Sequence, residues 1–362
     1  MQHNAVVFVY RLLQYPDSPL REIRRAINTS IGRISYGFDV SPTDAPFVEL
    51  AERALQSFEH STRPGRWSVD LITALRHLPD WVPFPFVRAA KHWRTGVVQE
   101  VAEVPLQQAI EDIAQGKGKL CLVADLMRDH PDLKCDGSAL DLIKWTAAAS
   151  YLGGSDTSIS ILSSFVLAMV LHPDIQRKAQ AEMDSVVGVD RLPEFSDRPS
   201  LPYLDCILKE LYRWQPPAPM VFPHLVEKSF TYQGWLFPKG SLVIANIWGI
   251  LKENEMYENP NEFKPERHWN GSVLDPTEPT FGYGRRVCPG APLANKSLWM
   301  FMATMLATVD ICPQTSVDGA EIKPQRKYNE LPVQQPCPFP CVIRPRNSMT
   351  GVLIDTCLWE RH

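Results

Sequence analysis

The stretch PTFGYGRRVCPGAPLANKS, residues 279–297, decides how this chain is read. Cys288 stands between Gly284 and Gly290, with Arg285 and Arg286 upstream and Pro289 directly after it. Pro289 suits the first turn of a helix, which puts Cys288 at or just before a helix N-terminus. Unpaired N–H groups and the macrodipole favour an anion there, so the sequence predicts a thiol with a lowered pKa, present as thiolate. Gly284 allows a left-handed turn, and Gly290 leaves room for a flat partner. Arg286 can fork onto a carboxylate, and Phe281 can shield the sulfur from water. A lone free cysteine is more often a small core hydrophobe. That bland reading leaves Phe281, Gly284, Arg286 and Gly290 unexplained.

The pattern Phe281-x-x-Gly284-x-Arg286-x-Cys288-x-Gly290 resembles the haem-binding loop of the cytochromes P-450 at every fixed position. Three further motifs of that family occur in its order. They are Gly153-Gly154-Ser155-Asp156-Thr157, Glu210-Leu211-Tyr212-Arg213 and Pro265-Glu266-Arg267. The resemblance covers nearly the whole chain and is closest in style to fungal enzymes of specialised metabolism. It implies a mainly α fold with a small β region, the cytochrome P-450 fold, N-terminally truncated. It implies haem b (iron protoporphyrin IX) as cofactor, with Cys288 as the proximal iron ligand, and Arg286 and His224 on the propionates. Phe281, Gly284 and Gly290 complete the cofactor cradle. Electrons would come from an NADPH–cytochrome P-450 reductase. The substrate would be a small hydrophobic metabolite, such as a terpenoid, polyketide or alkaloid precursor.

The supporting motifs have physical readings of their own. Two adjacent glycines inside a helix cost about 1 kcal/mol each against alanine, so Gly153 and Gly154 need a reason. One is a local bulge that opens a groove for a diatomic ligand, with Asp156 and Thr157 as the acid and hydroxyl that relay protons to dioxygen. The other is a helix break capped by Ser155 or Asp156. Glu210 and Arg213 are i,i+3 neighbours, usually a solvated pair. The resemblance implies instead that Arg267 joins them in a buried structural network that locks the following meander to the core. Residues 218–222 and 147–153, with 330–333, are apolar stretches expected to line a substrate pocket.

Composition bounds the alternatives. The chain has 362 residues, 44% of them hydrophobic, 22% charged, and a net charge of −4. No basic block exists, so nucleic-acid binding is not expected. The eight cysteines are scattered and read as reduced thiols. Helical spacing is expected over 5–15, 18–31, 46–58, 87–115, 174–188, 201–214 and 293–309. The segment 141–172, apolar nearly all round, reads as a buried core helix. Residues 228–248 and 310–346 read as short strands and turns. The whole is expected to be one domain: a helical region 1–140 with substrate-access helices, a haem-binding core 141–350 and a tail 351–362.

The chain departs from the family pattern in places. Family members normally begin with a membrane anchor, a proline-rich hinge and early helices, one of which carries a tryptophan and an arginine for a haem propionate. Met1 falls after that point, and Trp93-Arg94 lies too far along to replace the pair. His268 stands where a phenylalanine is usual. The expectation is therefore a haem-thiolate monooxygenase of the endoplasmic reticulum, with the anchor not in this chain and no uninterrupted apolar run long enough to span a bilayer. The alternatives are a truncated, inactive haem-binding fragment and a haem-thiolate isomerase or dehydratase. Asp156 and Thr157 speak against the isomerase.

Overall fold

The computed structural model describes residues 1–38, 45–62, 65–79, 81–129, 137–316 and 318–359. Cys135 and the side chain of Arg94 lie outside the described residues. The chain groups into two compact units, 1–159 with 354–362, and 160–353.

The first unit is helical. Its helices are α1 (Gln2–Gln14), α2 (Pro19–Tyr36), α3 (Ala45–Thr62), α4 (Ser68–Leu71), α5 (Pro85–Thr95), α6 (Val97–Ala114) and α7 (Leu122–Asp129), followed by the start of α8 (Gly137–Leu171). Apolar residues three and four apart put Phe8, Val9, Leu12, Ile23 and Ile27 in the core between α1 and α2. Asn4 donates to Ser30 Oγ at 2.9 Å, and Arg11 pairs with Glu22 at 2.6 Å. These contacts run in opposite directions along the two helices, which are therefore antiparallel. The single helix expected over 87–115 is two helices, because Gly96 breaks it. Its backbone (φ −117°, ψ −121°) would bring a Cβ within 2.6 Å of the His92 carbonyl.

α8 runs 35 residues, roughly 50 Å at 1.5 Å per residue. By length and mean hydropathy it could cross a membrane, although the sequence contains no uninterrupted apolar run of that length. Its most apolar 18-residue window is 83% buried inside the protein, which marks a core helix.

In the second unit, His172-Pro173 ends α8 and opens α9 (Pro173–Val186), and α10 (Pro202–Trp214) follows. Strands β1 (His224–Leu225), β2 (Phe230–Tyr232), β3 (Trp235–Phe237) and β4 (Leu242–Val243) come next. β2 and β3 form an antiparallel hairpin turned at Gln233 and Gly234, both at positive φ. β1 pairs antiparallel with β4, placing His224 opposite Val243. After α11 (Ile247–Leu251) an irregular meander leads to α12 (Thr277–Phe281), the cysteine loop and α13 (Ala291–Thr308). Strands β5 (Val309–Cys312), β6 (Gln314–Thr315), β7 (Glu321–Ile322) and β8 (Val342–Pro345) close the unit. β5 pairs with β8, and β6 with β7. Gln176 of α9 donates to the Ile311 carbonyl and accepts from the Ile311 N–H, both at 2.9 Å. That satisfies β5 from the side without a third strand.

The expected tail is a helix, α14 (Met349–Trp359). Asn347 Oδ1 accepts from the N–H groups of Met349 and Thr350, both at 3.0 Å, which caps its first turn.

Candidate functional site

Within α8 the double glycine neither breaks the helix nor opens a bulge; residues 153–158 stay α-helical. Thr157 Oγ1 donates to the Gly153 carbonyl at 2.8 Å, and Ser158 Oγ to the Gly154 carbonyl at 2.6 Å. Hydroxyls that bond back four residues use a second carbonyl lone pair, so the helical ladder survives. A Cβ at Gly153 would meet nothing, whereas one at Gly154 would touch Ile31 of α2 at 3.4 Å. Asp156 and Ser155 are buried.

One stripe of α8 is exposed: Leu142, Trp145, Ala149 and Gly153, leading to half-buried Thr157. These residues share a helix face by their spacing of three and four. Of the expected pocket segment 147–153, Ala147, Ala148 and Tyr151 turn into the core of the first unit instead. Tyr151 stacks obliquely on Tyr36, ring centroids 6.2 Å apart. Burial raises both phenols well above their usual range.

The cysteine loop lies in the second unit. α13 begins at Ala291, and the proline in its first turn is Pro292, not Pro289. Cys288 therefore precedes the helix by three residues, and its carbonyl accepts from the Ala291 N–H at 3.3 Å. The Cys288 N–H donates to the Phe281 carbonyl at 2.8 Å. Gly284 takes a left-handed φ of 63°, as expected, and Gly282 takes φ 83°, ψ −174°, a conformation open only to glycine. The Cys288 thiol is exposed, as are Arg285 and Arg286. The atom nearest to a Cβ built on Gly290 is Cys288 Sγ, at 3.7 Å, so any side chain there would lie over the sulfur.

Phe281 is half-buried, its ring set edge-on to Tyr212 at 5.2 Å. His224 is exposed on β1. Large apolar side chains stand exposed in the same unit: Met220 and Phe222, Leu225, Val243 and Ile244, and Val287. Uncovered sulfur, exposed cations and exposed apolar side chains form a donor set that fits a flat apolar macrocycle with acidic edges. Residues 330–333 run from exposed Glu330 to buried Val333.

Behind the loop, α10 grips the meander. Glu210 and Arg213 are fully buried and paired at 2.8 Å. Glu210 also accepts from Arg267 Nε at 3.2 Å and from the Lys264 N–H at 2.8 Å. His268 Nε2 lies 2.8 Å from its other oxygen. Burial would raise the Glu210 carboxyl, but Arg213 and His268 bond to its anion and hold it at about 2. Arg213 donates in turn to the carbonyls of Leu251, Pro260 and Glu262. Lys209 pairs with Asp275 at 2.6 Å.

Lys252 is a residue the sequence reading passed over. Its Nζ donates to the carbonyls of Trp214 and Pro260. Burial, then repulsion from Arg213 and Arg326, pushes it down to about 7. Tyr212, Asn295 and Gly282 fall inside the quoted motifs, but the sequence assigns them no role there. Gly282 alone carried a local signal, as one of the two glycines in FGYG.

The cytochrome P450 family model matches residues 55–333. Cytochrome P450 monooxygenase 208 of Postia placenta is 38% identical over 359 residues, 98% of this chain and 69% of that protein. The chain belongs to the cytochrome P450 family. Similar relatives include the P450 monooxygenase ple1 of Rhodocybe pseudopiperita, 36% identical over 97% of this chain and 68% of its own length. Another is claT of Ampulloclitocybe clavipes, 36% identical over 95% of this chain and 70% of its own length. A zebra fish cytochrome P450 solved with abiraterone shares the fold, with a TM-score of 0.74 at 24% identity over 96% of this chain and 77% of that one. This P450 is accordingly a monooxygenase of fungal type with haem b as its cofactor.

Proposed function

We propose that this P450 inserts one oxygen atom into a small hydrophobic metabolite of a biosynthetic pathway for specialised products, with electrons from an NADPH-dependent cytochrome P450 reductase. The observation that carries the reading is the Cys288 thiol, exposed, bare of any side chain at Gly290, and tethered through its N–H to Phe281. Haem b, when bound, supplies the activation of dioxygen. Cys288 would hold it through its thiolate, whose electron density would tune that chemistry. Arg286 and His224 would hold its propionates by charge and hydrogen bonding.

Thr157 serves as a positioned hydroxyl. Its hydroxyl donates to the Gly153 carbonyl, which leaves the oxygen lone pairs free to accept a hydrogen bond. Asp156 beside it is the acid that feeds this relay. Met220 and Phe222 are exposed apolar side chains suited to an apolar substrate. Glu210, Arg213 and Arg267 support the loop without touching substrate. Association with the endoplasmic reticulum membrane goes with the family.

The test is spectroscopic. The chain, supplied with haem, reduced and exposed to carbon monoxide, gives a strongly red-shifted main band if a thiolate is the ligand. Cys288→Ser abolishes that shift. A Cys288→Ser variant with the wild-type spectrum overturns the assignment. Reductase-dependent NADPH consumption then distinguishes a monooxygenase from an isomerase.

A further inference from the structure

Tyr212 directly precedes Arg213 and is wholly buried on α10. Its hydroxyl donates to Asn295 Oδ1 at 3.0 Å, across 83 residues of sequence. Its ring meets Phe281 edge-to-face, centroids 5.2 Å apart at 72°. Phe281 lies seven residues before Cys288, and Asn295 seven residues after it. The Phe281 carbonyl takes the Cys288 N–H, and Asn295 sits in the second turn of α13, just past the Ala291 N–H that holds the Cys288 carbonyl. One side chain thus ties down both ends of the cysteine loop.

The tie is reinforced from outside. Arg198 Nη1 donates to the Asn295 carbonyl at 3.4 Å, and its guanidinium lies 5.5 Å over the Trp299 ring. Between the two anchors, Tyr283, Arg285, Arg286 and Val287 are exposed and contribute little packing. The loop's span therefore depends on its ends. Gly282 and Gly284 add backbone freedom inside it, which makes the anchors matter more. Burial disfavours ionisation of the Tyr212 phenol and outweighs the opposing pull of Arg198, so the hydroxyl stays a donor to Asn295.

We propose that Tyr212 is a positioning residue for the proximal thiolate, clamping the cysteine loop between Phe281 through its ring and Asn295 through its hydroxyl. The inference rests on the reading of Cys288 as iron ligand. Tyr212→Phe keeps the ring and removes the hydroxyl; Asn295→Leu removes the acceptor. Amide hydrogen exchange over residues 282–294 of the haem-free chain is expected to speed up roughly fivefold in either variant, since one hydrogen bond is lost. The double variant should exchange no faster than the single ones, because both remove one interaction. In the haem-loaded chain, either variant should convert part of the red-shifted carbon monoxide band to the unshifted form, while Asn295→Asp, which keeps the acceptor, rescues it.

Unchanged exchange in both single variants, or effects that simply add in the double, overturn the clamp. Loss of the band in Cys288→Ser alongside unchanged bands in Tyr212→Phe and Asn295→Leu overturns it while leaving the ligand assignment standing. A Cys288→Ser chain that keeps the band overturns both.

Discussion

His268 Nε2 stands 2.8 Å from Glu210 Oε2, with both side chains buried. The family pattern places an aromatic ring at this position, and here a hydrogen bond takes its place. Glu210 Oε1 already serves Arg213, Arg267 and the Lys264 N–H, whereas Oε2 serves Arg213 and His268. Removing the imidazole leaves a buried carboxylate oxygen one bond short. His268→Phe should cost about 1–2 kcal/mol of stability, read as a lower denaturant midpoint. His268→Gln presents an amide N–H at the same reach and should recover most of the loss. Equal midpoints for the phenylalanine and wild-type chains would remove His268 from the network.

Glu210 itself contributes to the acid limit. Its carboxyl titrates at about 2 in the folded chain against 4.5 as a free side chain. Between those values the unfolded chain binds a proton that the folded chain does not, so stability from this group is complete above about pH 4.5 and falls away as pH drops toward 2. Removing one member of a buried charged set leaves its partners unpaired, at a cost of about 3–5 kcal/mol. Glu210→Gln should therefore unfold at markedly lower denaturant at pH 7 and lose its share of the dependence on pH below 4.5, beside the contributions of Asp197, Glu266 and Asp275, whose carboxyls their cationic partners also hold down. A variant whose acid limb matches the wild type places the acid sensitivity elsewhere.

Lys252 gives a dependence of the same sign at the alkaline end. The unfolded chain keeps its ammonium proton up to about pH 10.5, and the folded chain only to about 7. Unfolding takes up a proton between these values, so stability climbs as pH rises from 7 toward 10.5. Lys252→Met keeps the aliphatic stem and removes the titration. Its denaturant midpoint should be flatter across that window than the wild type's. Parallel midpoint curves for the two chains would rule out Lys252 as their source.

The residues that were legible in the sequence are those whose partners are close along the chain. The cysteine loop spells its turn in Gly284, which takes a positive φ in the fold, and Gly290 leaves the space beside Cys288 Sγ free of a side chain. Glu210 and Arg213 were legible as a pair but not as a buried one, because the same letters at i,i+3 serve a wet surface equally well. Their burial comes from Pro260, Glu262 and Arg267, about fifty residues on. Tyr212 and Asn295, 83 residues apart, leave no local trace at all. Helix boundaries failed where a glycine adopts a backbone that a side chain would block, as at Gly96, and where a cap outweighs composition, as at Asn347 before α14.

Thr157 separates chemistry from stability most cleanly. Its hydroxyl bond to the Gly153 carbonyl supplements the α8 ladder, so the helix does not need it. Thr157→Ala should change the denaturant midpoint by no more than about 0.5 kcal/mol, as expected for a side chain outside the core. It should keep consuming NADPH through the reductase while a larger share of electrons ends in peroxide or water than in product, because a positioned proton donor is gone. Thr157→Ser restores the hydroxyl and should restore coupling. A Thr157→Ala chain as tightly coupled as the wild type on the same substrate would take the proton relay away from this residue and leave Asp156 to carry it alone.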